Sequence, residues 1–277
     1  MLADHELNRV AWDQLAAEHG QDGYYDSEAL VAGASSLIEE EEDALLHAVG
    51  ATLAGKRILH LQCHIGFDAI TLARRGACVT GVDFSMVALD KARCLADRCG
   101  LKIDWVHADA VRLPDSLRSQ FDLVWATMGI ACWIADMSAW MRAAAASLAP
   151  SGKLVLIDGH PGETALRDSA RVGAAPIRRV IDSGWDYATS NRTGPQVQFK
   201  YSLAALAAAA TSAGLRVNRL VEHEAVSSDL CINTLKRDPD GRYRIRVNGR
   251  VQPALFTLIL ERDRCSAQTA APNEQLQ

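Results

Sequence analysis

The sequence lacks features that mark several classes of protein. No stretch is both long and apolar enough to span a bilayer, and the longest apolar run, residues 204–210, is short and rich in alanine. The first ten residues are polar and contain no apolar signal segment. From these absences we expect a cytoplasmic protein without a membrane partner.

Runs of basic residues are also missing. The formal net charge is -5, and lysine and arginine are not clustered in the sequence. Because nucleic-acid binding depends on clustered positive charge, we expect no nucleic-acid partner. Hydrophobic residues make up 49% of the 277 residues, which is enough apolar material for one large globular domain.

The seven cysteines are scattered, and no Cys-x-x-Cys pair occurs among them. The sequence therefore predicts neither a metal site nor a redox-active pair. Cys63, Cys78 and Cys132 have apolar neighbours in the chain, and we expect them to be small core residues.

From residue 57 onward, segments that suit strands alternate with segments that suit helices. This alternation predicts an α/β fold, in which a parallel sheet is covered by helices on both faces. The predicted strands are residues 57–62, 78–82, 103–107, 121–127 and 153–158, and the predicted helices are residues 67–75, 85–98 and 137–148.

The alternating region is flanked by segments of different character. We expect a helical cap over residues 1–54, in which the acidic run 39–43 forms a solvent-exposed helix face. Within the main domain, residues 55–265, the glycine- and proline-rich stretch 161–201 is interpreted as a lid. The rest of the domain is predicted as a helix at 202–213, a strand at 215–223, a hairpin within 235–247 and a strand at 254–262, followed by a flexible tail at 266–277.

Two short signatures point to a nucleoside site. A turn from Gln62 to Gly66 follows the first strand, and Asp83 ends the second strand. Gly66 allows close approach of a ligand to the backbone, and the helix that follows favours a carboxylate at its N-terminus. Asp83 stands near the spacing expected of an acid that holds ribose hydroxyls, although a helix N-cap, with Ser85 as another candidate cap, is the alternative.

A third residue extends this site. Asp109 follows the third strand, where its carboxylate can accept from the exocyclic amine of adenine and the Ala110 N–H is a neighbouring donor. The alternative for Asp109 is a solvated loop acid, and the alternative for His64 is a turn residue that only packs. The three sites in order after three strands are more specific than any one of them.

With these residues in place, the chain resembles class I S-adenosylmethionine-dependent methyltransferases from about Asn8 to Asp263. The residues that carry the resemblance are Leu61-Gln62-Cys63-His64-Ile65-Gly66, Gly81-Val82-Asp83-Phe84-Ser85, Trp133, Asp158-Gly159-His160-Pro161, Trp12 and Tyr24-Tyr25-Asp26. The first of these is similar to a variant motif of bacterial small-molecule methyltransferases. His60 stands where the family usually has an acid, and Gln62 and His64 replace two glycines.

The resemblance implies a Rossmann-like seven-stranded, mostly parallel sheet with an antiparallel last strand, an N-terminal helical cap and a lid insertion. It also implies S-adenosylmethionine as the cofactor and transfer of its methyl group to an oxygen, nitrogen or activated carbon atom of a small molecule, in secondary-metabolite biosynthesis. The cofactor-binding residues expected on this basis are Gln62, His64, Gly66, Asp83, Phe84, Ser85, Asp109, Ala110, Thr127 and Tyr25.

Methyl transfer from a sulfonium is an in-line displacement, so positioning of the acceptor supplies most of the rate. A base is needed only if the acceptor loses a proton. We take His160 as the candidate base; the alternative is a loop histidine bonded to backbone. Asp158 is interpreted first as a structural acid at the end of its strand, with orientation of His160 as the alternative. The residues expected to contact the acceptor are Tyr24, Trp133, His160 and Trp185, and Phe199 and Tyr201 are further candidates for an aromatic wall.

Aromatic residues pack in cores by default, so core positions are the alternative for this wall. No Asn/Asp-Pro-Pro-Tyr/Phe run follows the fourth strand, which disfavours methylation of an adenine amine or a glutamine amide. A nicotinamide dehydrogenase normally needs a Gly-x-Gly-x-x-Gly turn, and Gln62 and His64 would crowd its pyrophosphate. A cofactor-binding scaffold or a non-methylating catalyst is the other alternative, and a homo-oligomer formed by exchange of the N-terminal cap is possible.

Overall fold

The computed structural model describes residues 3–20, 24–162, 177–181, 185–186, 191–192, 194–230 and 235–263. Most of the predicted lid and the whole predicted tail lie outside these residues, as does the side chain of Trp185. In the described part of the chain, no helix has the length and apolar character required to cross a membrane.

Strands and helices follow one another as the alternation predicts. The strands are β1 (Arg57–Leu61), β2 (Cys78–Asp83), β3 (Asp104–His107), β4 (Phe121–Thr127), β5 (Leu148–Gly159), β6 (Ile177–Ile181), β7 (Trp185–Asp186), β8 (Asn191–Arg192), β9 (Gln196–Lys200), β10 (Leu215–His223), β11 (Lys236–Arg237), β12 (Tyr243–Val247), β13 (Arg250–Gln252) and β14 (Leu255–Arg262). The helices are α1 (Ala3–Glu18), α2 (Ser27–Val31), α3 (Glu39–Val49), α4 (Phe67–Arg74), α5 (Met86–Arg98), α6 (Met137–Ser147) and α7 (Leu203–Ser212).

Seven strands form the central sheet in the order β3-β2-β1-β4-β5-β14-β10. The first five are parallel to one another, whereas β14 runs antiparallel to both β5 and β10. This arrangement confirms the expected Rossmann-like sheet with an antiparallel last strand. The chain reverses its direction of winding between β1 and β4, which is where a sheet of this kind opens a crevice at its carboxyl edge.

Alternate residues of β1 face two separate cores. Leu59 and Leu61 pack with α6 and α7, while Ile58 packs with α3 and α4 on the other face. His60 lies next in the same alternation as Ile58 and is therefore on the α3–α4 face. The N-termini of α3 and α4 thus lie beside the carboxyl ends of β1 and β4.

The N-terminal helices are tied to the body by buried polar contacts. The Asn8 side chain of α1 donates to the Val197 carbonyl and accepts from the Val197 N–H, both at 2.8 Å, so α1 is held along β9. Glu40 of α3 accepts from the Ser227 N–H at 3.0 Å and from its hydroxyl at 2.7 Å. These contacts hold α1 and α3 against later parts of the chain, and Trp12 of α1 and Glu41 of α3 line the cavity at the crevice.

Two predictions about individual residues are wrong. Glu40 and Glu41 are only 6% and 4% exposed, so the acidic run is not a uniformly solvated face. The reason is that the loop around Ser227 covers Glu40 and the cavity described below receives Glu41. Cys78, expected in the core, is exposed because it is the first residue of β2; Cys63 is buried as expected.

Smaller sheets are inserted around β10 and before α7. Strands β11, β12 and β13 form an antiparallel sheet whose first turn contains Asp240 and Gly241, which confirms the predicted hairpin and extends it by one strand. Strand β6 pairs with β9, and β7 pairs with β8, within the region interpreted as a lid.

Trp105 of β3 covers two glycines of the nucleoside site. Gly81 is its direct partner on β2, and a Cβ at Gly81 would lie 2.5 Å from the indole ring and 3.0 Å from the Cys63 sulfur. A Cβ at Gly66, whose φ is +82°, would lie 2.7 Å from the same ring. These glycines let the indole pack against the strand and the turn together.

Gly81→Ala is expected to lower the free energy of unfolding by about 1–3 kcal/mol, because the added methyl group overpacks the contact with Trp105. Gly159→Ala is the matched control, since this strand glycine has no atom within 4 Å of the position of its Cβ. We expect the control to change stability by less than about 1 kcal/mol. Equal losses in chemical denaturation would contradict this account of Gly81.

Candidate active site

The turn after β1 keeps the conformation of a glycine-rich turn with two larger residues in it. Gln62 and His64 have φ values of +54° and +49°, and Gly66 follows at +82°. A left-handed conformation costs a non-glycine residue about 1–2 kcal/mol. The Gln62 side chain offsets part of this cost, because its amide oxygen accepts from the Trp140 indole at 3.0 Å and its amide nitrogen donates to the Ile130 carbonyl at 3.3 Å.

Asp83 joins this turn to β2 and α5. One carboxylate oxygen accepts from the His64 N–H at 2.8 Å, and the other accepts from the Ser85 N–H at 2.9 Å. Burial raises the pKa of Asp83 to about 6, although the backbone donors act to lower it. Each oxygen keeps lone-pair capacity for a further donor, as the ribose assignment requires.

Ser85 is the N-cap of α5, as one of the sequence alternatives proposed. Its hydroxyl accepts from the Ala88 N–H at 3.1 Å and donates to Asp13 of α1 at 2.6 Å. The side chain of Ser85 is buried and does not line the cavity. Asp83 instead lines the cavity, so the cap and the binding acid are separate residues.

Asp109 is held by the N-terminal helix. His5 donates from Nδ1 to Asp109 at 2.8 Å, while its Nε2 accepts from the Ala135 N–H at 3.0 Å, which fixes the ring proton on Nδ1. Burial acts to raise the pKa of Asp109, but the hydrogen bonds from His5 and from the Val111 N–H outweigh it, and the pKa is lowered.

A small cavity of about 20 Å³ lies beside this pair, lined by His5, Phe84, Asp109, Ala110 and Trp133 among others. It has room for roughly one water molecule. An adenine ring therefore enters this part of the site only if α1 moves and His5 gives up Asp109.

The main cavity, of about 450 Å³, opens at the carboxyl ends of β1 and β4. Aromatic rings line one side of it. Trp12 makes edge contacts with His64 and Trp133 at centroid distances of 5.2 and 5.4 Å, and Tyr25 lies 5.4 Å from His64. His19 Nδ1 and His64 Nε2 are 2.7 Å apart, which ties α1 to the turn.

Polar groups form the opposite side of the main cavity. Asp68, in the first turn of α4, accepts from the Ser36 hydroxyl and from the Thr127 hydroxyl, both at 2.7 Å. Burial and the charge of Asp68 raise the pKa of Glu41 well above its ordinary value. Burial lowers the pKa of His60, so its ring is neutral near pH 7. All of these residues except Thr127 were missing from the site predicted from sequence.

The structure brings most of the predicted cofactor residues together. Gln62, His64, Gly66, Asp83, Phe84, Thr127 and Tyr25 line the main cavity, together with Tyr24 and Trp133, which were predicted to contact the acceptor. Asp109 and Ala110 line the small cavity beside it. The assignments of these residues to particular ligand groups stay predictions.

His160 and the remaining aromatics lie elsewhere. The His160 ring accepts from the Gly162 N–H at 3.0 Å through Nδ1, and its Nε2 is 2.7 Å from Glu222, outside the described cavity lining. Phe199 and Tyr201 are buried in the core, where the Tyr201 hydroxyl donates to the Ile134 carbonyl at 2.7 Å. The aromatic wall proposed from sequence therefore retains only Trp133 among the described side chains.

Asp158 has a structural role at the end of β5. Its carboxylate accepts from the backbone N–H groups of Gly129, Ile130 and Ala131 at 2.7–3.0 Å. These bonds shape the loop after β4, which carries Trp133 to the cavity. Asp158 makes no described hydrogen bond to His160, so the idea that it orients this histidine gains no support.

Comparisons with known proteins identify relatives of the chain. A methyltransferase-domain family matches residues 58–152. The ubiquinone biosynthesis O-methyltransferase of Aromatoleum aromaticum is 30% identical over 186 residues, which cover 67% of this chain and 78% of that protein. The protein of the same name from Stutzerimonas stutzeri is 29% identical over 185 residues, which cover 66% and 77%.

Solved structures share the fold at lower identity. The CcbJ methyltransferase of Streptomyces caelestis superposes with a TM-score of 0.58 at 20% identity, over 91% of this chain and 98% of that one. The 1,6-didemethyltoxoflavin-N1-methyltransferase of Burkholderia thailandensis, solved with 1,6-didemethyltoxoflavin and S-adenosylhomocysteine bound, gives 0.55 at 14% identity, over 95% and 91%.

The raised pKa of Asp83 predicts a pH-dependent affinity for S-adenosylmethionine. Because ribose hydroxyls donate to the ionised carboxylate, binding below a pKa of about 6 first requires loss of a proton. The dissociation constant is expected to be flat above pH 7 and to rise about tenfold by pH 5. Asp83→Asn should bind more weakly and lose this rise; an unchanged pH profile in the variant would contradict the ribose assignment.

Proposed function

Because the chain belongs to the class I S-adenosylmethionine-dependent methyltransferases, we propose that it methylates an oxygen, nitrogen or activated carbon atom of a small planar molecule. S-adenosylmethionine is the methyl donor, and a small molecule is the acceptor. The observation that carries the proposal is the position of the aromatic side chains Trp12, Tyr24 and Trp133, which line the same cavity as Asp83 and Gly66.

The protein itself contributes by binding the cofactor and the acceptor, by orienting them and by excluding water from the cavity. The bound cofactor supplies a methyl group on a positively charged sulfur. Asp83 and the Gln62–Gly66 turn hold one end of the cavity, while the aromatic side offers flat apolar faces for a ring. When the nucleophile is held in line with the methyl group, the reaction no longer pays the entropy cost of a bimolecular encounter. This lowers the activation free energy by roughly 7–11 kcal/mol in favourable cases.

A ring hydroxyl is the first acceptor to examine. The proposal draws on relatives that are named O-methyltransferases and of which the chain covers more than three quarters. Aromatic stacking against Trp133 or Tyr24 suits a phenol or a nitrogen heterocycle equally. A role in secondary metabolism remains part of the proposal and is supported by the resemblance of the first motif to that of small-molecule methyltransferases.

The two adjacent tyrosines are expected to separate acceptor binding from cofactor binding. Tyr24 is 41% exposed at the mouth of the cavity, whereas Tyr25 packs against His64 and Phe67. With a panel of hydroxylated and amino aromatic rings, product masses and release of S-adenosylhomocysteine identify the acceptors. On an accepted ring, Tyr24→Ala should raise KM about tenfold through lost ring contact and leave cofactor Kd within about twofold.

Tyr25→Ala is the matched comparison and should weaken cofactor binding instead, because its ring supports the turn. No transfer to any member of the panel, with the cofactor tightly bound, would count against methylation of planar rings. If Tyr24→Ala weakened cofactor binding and Tyr25→Ala raised KM for the acceptor, the division of the cavity into an acceptor part and a cofactor part would be wrong.

Base assistance by His160 is the alternative to catalysis by positioning alone. Both of its ring nitrogens already have partners, so proton transfer from an acceptor requires separation from Glu222 or Gly162. We expect positioning to dominate and His160→Ala to keep kcat within about threefold. A loss of about 10²-fold or more in kcat at unchanged cofactor Kd would instead establish His160 as a general base.

A further inference from the structure

The charged side chains of the main cavity are all acidic. Among the described residues that line it, Asp26, Glu41, Asp68, Asp83 and Asp229 carry carboxyl groups, and none is a lysine or an arginine. Asp26 caps α2 through the Ala29 N–H at 2.9 Å, and Asp83 is assigned to ribose. The remaining acids disfavour an anionic ligand group on the polar side and favour a positively charged one.

Asp68 has capacity for one more hydrogen bond. An ionised carboxylate offers about four acceptor positions. Three are used, by the Ser36 and Thr127 hydroxyls and by a long contact of 3.4 Å from the Trp125 indole. The Thr127 hydroxyl gives its proton to Asp68, and its oxygen, which also lies beside the Glu41 carboxyl group, can accept from a further donor.

His60 provides an independent sign that a ligand belongs here. Its ring lines the cavity, the residue is only 3% exposed, and its Nδ1 is buried without a hydrogen-bond partner among the described residues. A buried polar atom left unpaired costs about 1–3 kcal/mol. A neutral imidazole has one acceptor nitrogen, which suits a ligand that carries N–H groups.

Glu41 is the second acid of this group. Its carboxylate accepts from the Ile38 N–H at 2.9 Å, and it lies close enough to Asp68 for the two charges to repel. A positive group between these acids and His60 would remove the repulsion. A hydroxyl has one donor and a carboxylate has none, whereas a primary ammonium has three, one for each of the acceptors at Asp68, Thr127 and His60.

We propose that Asp68, Thr127 and His60, with Glu41 beside them, bind the α-ammonium group of the cofactor's methionine end. The inference rests on the proposed function, because it requires the cofactor to occupy this cavity. His60, on β1, stands where the family usually has an acid and carries no negative charge. Asp68, on α4, then supplies that charge instead. The methionine carboxylate then faces the N-terminus of α4, whose first N–H groups favour an anion without a side-chain cation.

Three probes that differ only at the amino-acid end test this assignment by calorimetry on the full chain. S-adenosylhomocysteine carries the ammonium and the carboxylate, S-adenosyl-3-thiopropylamine keeps only the ammonium, and 5′-methylthioadenosine has neither. Asp68→Asn is expected to weaken the first two by about 10- to 100-fold and the third by less than about threefold. Thr127→Ala should weaken the same two probes about fivefold.

Glu42→Gln is the matched control. It removes a carboxylate from α3, the helix that carries Glu41, but Glu42 pairs with Arg75 at 2.7 Å on the exposed side, so all three affinities should stay unchanged. Equal weakening of all three probes by Asp68→Asn would assign Asp68 a structural role and overturn the inference. No effect on any probe would overturn it as well. Failure of S-adenosylhomocysteine to bind the unmodified protein would instead refute the proposed function.

Discussion

The hydrogen bonds accepted by Asp83 are the constraint on which the rest of the site depends. A single buried carboxylate ties the N–H of His64, in the turn after β1, to the N–H of Ser85, at the start of α5. Through Ser85 the same chain of bonds continues to Asp13 and so to the N-terminal helix. The binding turn, the second strand and the cap are therefore positioned by one another.

The cavity is also where the protein departs from ordinary local preferences. Gln62 and His64 occupy left-handed backbone conformations, His60 keeps an unpaired ring nitrogen, and Glu41 is buried beside Asp68. Each departure is unfavourable in an unliganded protein, and together they converge on a single cavity. Strain and unsatisfied polarity that cluster in this way are characteristic of functional sites rather than of packing defects.

The parallel part of the sheet was predictable because apolar segments that alternate with helical ones determine which residues are buried, whereas the antiparallel last strand was expected from the family resemblance. The positions of Gly66, Asp83 and Asp109 after three successive strands likewise follow from the topology, since parallel strands end at one edge. Boundaries were less predictable: β5 begins at Leu148, the last residue of the predicted helix 137–148 and five residues before the predicted strand. The pairing of residues 148 and 121 across the sheet, a tertiary contact, decides that boundary.

The part of the site that was not predicted from the sequence depends on contacts between distant segments. Glu41 and Asp68 both stand in first turns of helices, where acids are common for reasons of the helix dipole alone. Only the packing of α3 and α4 on the same face of the sheet brings them to His60 and Thr127. Phe199 and Tyr201 show the converse, because β9 places them in the core and no local pattern separates a core aromatic from one that lines a pocket.

A crystal structure with bound S-adenosylhomocysteine tests the central claim most directly. The account predicts ribose hydroxyls within hydrogen-bonding distance of Asp83, the adenine amine at Asp109 in place of His5, and the sulfur facing the aromatic side of the main cavity. Electron density for the ligand at any other place, or a ribose that makes no contact with Asp83, would contradict it.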